Sequence, residues 1–212
     1  AVAGNVRVGN RVNLLTYWQA IEYISSQNLD RRAWAFLNAV PVVPGACGAW
    51  RREAMLAVGG LRGDTLAEDM DLTWRLRRAG WRIANEPTAL AYTEAPETLS
   101  ALLRQRFRWA FGTLQCLWKH RGALGRYGTF GVLMLPSLWL FQILFPVLSP
   151  IVDVQVLITL VRFAQTWLSQ SLLTREWQPL PGALAMLNHV AFMYAFFLLI
   201  ELTGATIAFI LD

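Results

Sequence analysis

Cysteine is nearly absent. Cys47 and Cys116 are the only two among 212 residues, and their separation makes neither a metal-ligand pair nor a disulfide framework. Two isolated cysteines suit a reducing compartment. The chain also lacks an internal repeat, a low-complexity tract and any nucleic-acid-binding motif, so a sequence pI near 9.8 is not read as a DNA or RNA signature. It has no initiator Met and no signal peptide, and it ends at Ile210-Leu211-Asp212 in or beside an apolar segment. Both ends lead us to expect an internal stretch of a longer polypeptide.

What is present is apolar. A hydrophobic content of 55% with a mean hydropathy of +0.37 exceeds that of an ordinary soluble domain. The 19 Lys and Arg against 14 Asp and Glu give a net charge of +5. The basic residues crowd into 104–126, as Arg104, Arg106, Arg108, Lys119, Arg121 and Arg126, just before a long apolar region. The positive-inside tendency puts such a run at a cytoplasmic membrane surface, where anionic headgroups also favour it.

Residues 11–37 carry Leu14, Leu15, Trp18, Ile21 and Ile24 at mixed helical spacing, and their polar content predicts a surface helix. Residues 38–50, rich in Val, Pro and Gly, predict strand and tight turn. A short helix over Arg51 to Val58 should stop at Gly59-Gly60, and an amphipathic one over Leu66 to Ala79 at Gly80. The second carries Glu68, Asp69 and Asp71 near its start. Arg82 to Thr93 reads as strand, interrupted at Asn85-Glu86-Pro87. A basic amphipathic helix then opens at Pro96-Glu97-Thr98 and runs to about His120, with Leu99, Leu102, Leu103, Phe107 and Ala110 on its apolar side; such a helix suits a membrane interface.

Between Phe130 and Phe163 the only ionisable residues are Asp153 and Arg162, which predicts two spans, about 130–148 and 151–168, turning near Pro146–Asp153. A third span is expected over about 184–211, with His189 and Glu201 inside it. Ionisable groups at that depth are expensive; these two would line a channel or pair with further helices.

The sharpest signal is Gln105-Arg106-Phe107-Arg108-Trp109, about three dozen residues after Glu68-Asp69. On a helix Gln105, Arg108, Trp109 and Gly112 share one face. A guanidinium fork matches phosphate oxygens, and an indole stacks on the apolar face of a sugar.

These residues resemble the processive, inverting family 2 glycosyltransferases, the group of cellulose, chitin, hyaluronan and poly-N-acetylglucosamine synthases. The family's Gln-x-x-Arg-Trp pattern falls on Gln105, Arg108 and Trp109, and its Thr-Glu-Asp segment on Ala67-Glu68-Asp69, with Ala in place of Thr. The turn through Val43-Pro44-Gly45-Ala46-Cys47-Gly48-Ala49 looks like the family's acceptor-side loop, and Val6-Arg7-Val8-Gly9-Asn10-Arg11 looks most like the poly-N-acetylglucosamine synthases. The resemblance implies an α/β fold, the C-terminal half of a GT-A domain over 1–94, an interfacial helix over 95–126, and a membrane region over 129–212 with about three transmembrane helices. It implies Asp69 as base with Glu68 beside it, and Gln105, Arg108, Trp109, Gly45 and Cys47 at the substrate. A divalent metal, Mg or Mn, would be held by an Asp-x-Asp upstream of Ala1; Asp69-Met70-Asp71 has the right letters but lies on a predicted helix, and no residue here is assigned to a metal.

The expected partners are a UDP-sugar, with UDP-N-acetylglucosamine as donor, a polysaccharide or lipid-linked acceptor, membrane lipids and an accessory membrane subunit, with no nucleic acid. The expected location is the bacterial inner membrane, catalytic part cytoplasmic. Bland roles stand beside these. Glu68 and Asp69 would complement a helix dipole, and Arg108 and Trp109 would anchor an interfacial helix, the role assigned to Arg104, Arg106, Lys119 and Arg121. Trp50, Trp74 and Trp81 read as core or subunit-packing aromatics, Trp50 lying near enough to the loop to serve as a sugar platform. A non-processive lipid-directed transferase and a non-enzymatic membrane channel or binding subunit are the two rival readings.

Overall fold

The central element is a strand whose two faces are both covered. In the computed structural model, which describes residues 1–174 and Leu199, Val2–Val8 (β1) pairs in parallel with Ala84–Thr93 (β3) and, at Val2 and Ala3, antiparallel with the two-residue strand Gly48–Ala49 (β2). The register runs Gly4 to Glu86 and then jumps to Asn5 opposite Leu90. Pro87 cannot donate to the ladder, so the expected interruption is a bulge inside one strand, its Pro87 carbonyl taking the Asn5 side-chain amide at 3.1 Å.

Beyond Ala3 the β2 side of β1 has no strand. A helical run covers it: Leu14–Glu22 (α1), a π-helical stretch Tyr23–Leu29, and Asp30–Phe36 (α2). Asn28 donates to the Val6 carbonyl at 3.4 Å and Arg31 to the Gly4 carbonyl at 3.0 Å. Backbone acceptors in a covered strand need donors, and here side chains supply them. The polar content of this run therefore marks its inner face, not an outer one. Thr16, Gln19, Asn28 and Arg31 are buried, while Leu14, Tyr17, Trp18 and Ile21 are exposed.

Arg52–Ala57 (α3) and Glu68–Arg78 (α4) end as glycine dictates: Gly59, Gly60 and Gly80 have φ of +83°, +66° and +86°. Helix α4 carries Glu68, Asp69 and Asp71 at its start and Arg75, Arg77 and Arg78 in its last turn, charges that complement its dipole at both ends. Leu99–Lys119 (α5) starts at Thr98, whose hydroxyl caps Ala101 N–H at 3.3 Å.

Of the residues read as the apolar side of α5, only Leu102 is buried. Leu99, Leu103 and Phe107 continue with Phe111, Leu114 and Trp118 as an exposed stripe. At 3.6 residues per turn this stripe lies opposite the row of Gln105, Arg108, Trp109 and Gly112.

Three apolar clusters hold this part together. One joins Ala3, Val43, Leu72, Leu76 and Ile83, with Trp50 and Trp81 against it. A second joins Val6, Val8, Ala20, Tyr23 and Ala95, with Cys47 and Trp109 against it. The third joins Trp74, Cys116 and Leu117 to Phe130, Met134, Leu135 and Leu138. The first turns of the apolar region, expected to open a membrane span at 130, are thus packed into the same compact unit, 1–143, as the sheet.

The second unit, from Leu144 on, contains Phe145–Thr174 (α6), which is helical throughout with Pro150 inside it. The expected turn near Pro146–Asp153 is therefore absent among the described residues. Helical residues Trp139–Leu144 run straight into it, so Pro146 and Pro150 both lie inside a continuous helical run, as proline is tolerated to do in long apolar helices. The stretch Phe130–Ser169, in which an 18-residue window reaches a mean hydropathy of 2.0, is long and apolar enough to cross a membrane. His189, Glu201 and the span expected over 184–211 lie outside the described residues.

Candidate active site

Asp69 sits in the first turn of α4, and both its oxygens accept backbone N–H groups. Gly45 donates to Oδ2 at 3.0 Å and Met70 to Oδ1 at 2.8 Å. Thr73, one turn on, accepts from Val43 N–H at 3.0 Å and donates to the Asp69 carbonyl at 2.7 Å. The loop over 43–45 and the start of α4 are thereby clamped around one carboxylate. A Cβ on Gly45 would come into ordinary contact with Asp69 Oδ2, at 3.6 Å. Glu68 is exposed.

Cys47 carries the loop back to the sheet. Its carbonyl accepts from Gly4 N–H at 2.8 Å, and its thiol rests against the Cα of Gly4 and 3.5 Å from the Ala89 carbonyl. A side chain on Gly4 would collide with that sulfur. Arg31 lies within electrostatic range of Cys47 and Asp69. Burial lowers its guanidinium to about 10, against the two acidic groups, which raise it.

Helix α5 meets α4 along one row of side chains. Gly112 lies against Ala67, where an added Cβ would come within 2.8 Å of the Ala67 Cβ and 2.9 Å of its backbone nitrogen. Gln115 Oε1 accepts from Leu66 N–H at 2.8 Å, and the Cys116 thiol points to the Ala67 carbonyl at 3.6 Å. Burial pushes that thiol up to about 12. The row ends at Lys119 and His120, each 2.8 Å from Asp71 Oδ1. One and two turns before Gly112, the same row carries Arg108 with Trp109, and Gln105. Gln105 Oε1 is buried without a hydrogen-bond partner among the described residues.

The cations of α5 divide sharply. Arg104 donates to Ser100 at 2.6 Å, and Arg106 forms a two-pronged pair with Glu22 while lying 4.8 Å over the Trp109 ring. Lys119 pairs with Asp64 and Asp71. Arg121, just past the helix, donates to the Trp118 carbonyl at 2.8 Å. Exposed Arg108 has no partner among the described residues. Trp109, half-buried, also meets Tyr23 at 6.4 Å between ring centroids.

Sequence reasoning passed over Asp71 and His120. Asp71 is fully buried among His120, Arg75 at 2.8 Å and Lys119. Burial by itself would raise its carboxyl, but hydrogen bonds from His120, Lys119 and Arg75 outweigh it and hold the group well below the usual carboxylate range. The signal available was a second carboxylate two positions after Asp69, too polar for the helix face that also carries Leu72 and Trp74. Trp74, with its indole N–H on the Pro41 carbonyl at 2.7 Å, is a core aromatic, and Trp50 and Trp81 pack on the first cluster.

Residues of this chain are similar to two bacterial synthases. The chain is 37% identical over 112 residues to the "Poly-beta-1,6-N-acetyl-D-glucosamine synthase" of Staphylococcus aureus (strain COL), covering 53% of this chain and 27% of that protein. To the protein of the same name from Staphylococcus epidermidis it is 34% identical over 112 residues, again 53% and 27%. The chain thus spans about a quarter of the length of the curated relatives it matches. The family profile of glycosyl transferase family group 2 matches far more of it, residues 2–205, and the chain belongs to that family.

Proposed function

We propose that this chain is the acceptor-side part of a membrane-bound, inverting glycosyltransferase that adds N-acetylglucosamine from UDP-N-acetylglucosamine to a growing polysaccharide at the cytoplasmic face of a bacterial inner membrane. Membership of the family implies a GT-A fold, with which the mixed sheet and flanking helices agree. The observation that carries the reading is the division among the α5 cations. Arg108 alone of them has no internal partner among the described residues, and it lies on one row with Gln105, Trp109 and Gly112, the last packed on Ala67 just before Asp69.

In an inverting transfer the acceptor hydroxyl attacks the anomeric carbon, its proton passes to a base, and the nucleoside diphosphate leaves with the bonding pair. Asp69 takes that proton. Arg108 meets the charge that develops on the departing diphosphate, where a preorganised cation is worth most. Trp109 offers the acceptor sugar the indole face not covered by Arg106, and the unpaired Gln105 carbonyl accepts a hydroxyl or amide proton from the sugar. Gly45 and Cys47 shape the loop that holds Asp69, and Glu68 adds a second negative charge at the mouth.

No group of three His, Cys, Asp or Glu side chains among the described residues is placed to hold a metal, and Asp71 is already enclosed by three cationic or hydrogen-bonding side chains. The divalent metal that the family resemblance implies would have its ligands in another part of the protein, and no step of this chain is routed through it. The exposed apolar stripe on α5 and the apolar stretch Phe130–Ser169 support attachment to lipid.

The test is sugar transfer by the full synthase in membranes supplied with UDP-N-acetylglucosamine, alongside Asp69→Asn. Wild type should release UDP and build polymer; Asp69→Asn should lose about two to four orders of magnitude in turnover while still binding UDP. Single-sugar products would make it a non-processive transferase, and turnover by Asp69→Asn within tenfold of wild type would remove Asp69 from the role.

A further inference from the structure

We propose that His120 is a positioning residue for sugar transfer: through Asp71 it fixes the helix that holds Asp69 in its first turn against the helix that carries Gln105, Arg108 and Trp109. This rests on the reading of Asp69 as the base. His120 is 1% exposed, with its ring edge-on to Trp74 at 5.4 Å between centroids. Nε2 is 2.8 Å from Asp71 Oδ1, and Nδ1 is 3.0 Å from Arg78 Nη1. An arginine nitrogen only donates, so Nδ1 must accept and the proton belongs on Nε2, which donates to Asp71. One neutral tautomer satisfies both partners and no other does.

The placement gives the tie its consequence. Asp71 is two residues after Asp69, on the same opening turns of α4. Helix α5 already touches the residues before that turn, at Leu66 and Ala67, through Gly112, Gln115 and Cys116. Those contacts form a pivot. His120 and Lys119 hold a second point, at Asp71, and two points fix a rotation that one leaves free. A fully buried carboxylate ringed by donors is an expensive way to hold two helices together, since apolar packing of the same volume is often as stable. What it adds is a single geometry. Holding a base to that geometry matters because about 1 Å of misplacement costs on the order of a hundredfold in rate.

The test compares His120→Phe, His120→Gln and Asp69→Asn in the full synthase, reading kcat, donor KM and thermal unfolding. Phenylalanine keeps the ring and the Trp74 contact but removes both hydrogen bonds. We expect kcat to fall about ten- to a hundredfold with donor KM changed less than about threefold. Glutamine carries a donor nitrogen at the reach of Nε2 and should restore kcat to within about fivefold of wild type. Should His120→Phe not accumulate folded, His120→Asn replaces it: its amide meets Arg78 but falls short of Asp71, and the same loss of kcat is expected. Lower thermal stability with unchanged kcat per folded enzyme in the Phe or Asn variant would reduce His120 to a structural residue and overturn the inference. An inactive Asp69→Asn beside a normal His120→Phe overturns this inference alone; an active Asp69→Asn overturns the reading on which it rests.

Discussion

The two halves of α5 use the same kinds of residue for opposite ends. From Gly112 onward, Gln115, Cys116, Lys119 and then His120 are all committed to partners on the segment from Asp64 to Arg78. Before Gly112, the same row presents Arg108 without a partner, Trp109 half-buried and Gln105 with its carbonyl oxygen unpaired, all among the described residues. After Gly112 the row is wholly engaged by the protein; before it, the Arg108 guanidinium and the Gln105 oxygen are left for something else. Composition does not separate them, since both halves are basic and carry a Trp; the partners do.

The largest effect that would sharpen the contrast is at the base. Asp69→Asn keeps one of the two backbone hydrogen bonds through its amide oxygen and turns an NH2 group toward the other N–H, so it should lose about 0.5–1.5 kcal/mol of stability, still fold, and lose about two to four orders of magnitude in turnover, read as UDP release. A variant that lost thermal stability but kept its turnover per folded enzyme would move Asp69 to the structural side of the comparison.

Asp71→Asn should do the reverse. Removing one charge from a buried, multiply bonded group costs about 3–5 kcal/mol of stability, measured by denaturant unfolding. The pH dependence follows from the depressed carboxyl. Its folded value lies below the unfolded one of about 3.9, so its contribution is complete above about pH 4 and is lost as the pH falls through the folded value. The gap between wild type and Asp71→Asn should therefore be constant from about pH 5 to 7 and narrow only below about pH 4.

Gly112 stands at the boundary between the halves. Gly112→Ala would force its methyl against Ala67 and the Leu66 carbonyl carbon at 3.0 Å, backbone that cannot swing away. Overpacking of this kind costs about 1–3 kcal/mol. Because it separates α5 from the start of α4, kcat should fall along with the melting temperature.

Much of this was legible in the sequence. The glycines at 59, 60 and 80 stop the helices where expected, because only a residue without a Cβ takes a left-handed cap cheaply. The bulge at Pro87 is the expected interruption seen from within a strand. The row of α5 follows from helical spacing alone, and the apolar core tryptophans behave as read. Other features were not legible for a definite reason. Polar residues on the inner face of α1 to α2 look like a surface until the open side of β1 shows why Asn28 and Arg31 are needed there. Asp71 and His120 are 49 residues apart, and no local pattern announces that they are hydrogen-bonded. The prolines at 146 and 150 suggested a turn, but an apolar helix absorbs them.

The most direct test of the division of α5 is UDP inhibition of the synthase measured for Arg108→Ala and Lys119→Met side by side with their melting temperatures. A charge-assisted contact is worth about 1.5–3 kcal/mol, so Arg108→Ala should weaken UDP inhibition by about ten- to a hundredfold and leave the melting temperature within about a degree of wild type. Lys119→Met should lower the melting temperature by several degrees, as the loss of a contact to a buried carboxylate implies, and leave UDP inhibition unchanged. If Arg108→Ala destabilised the fold without touching inhibition, or if Lys119→Met weakened UDP while the fold stood firm, the assignment of the two halves would be contradicted.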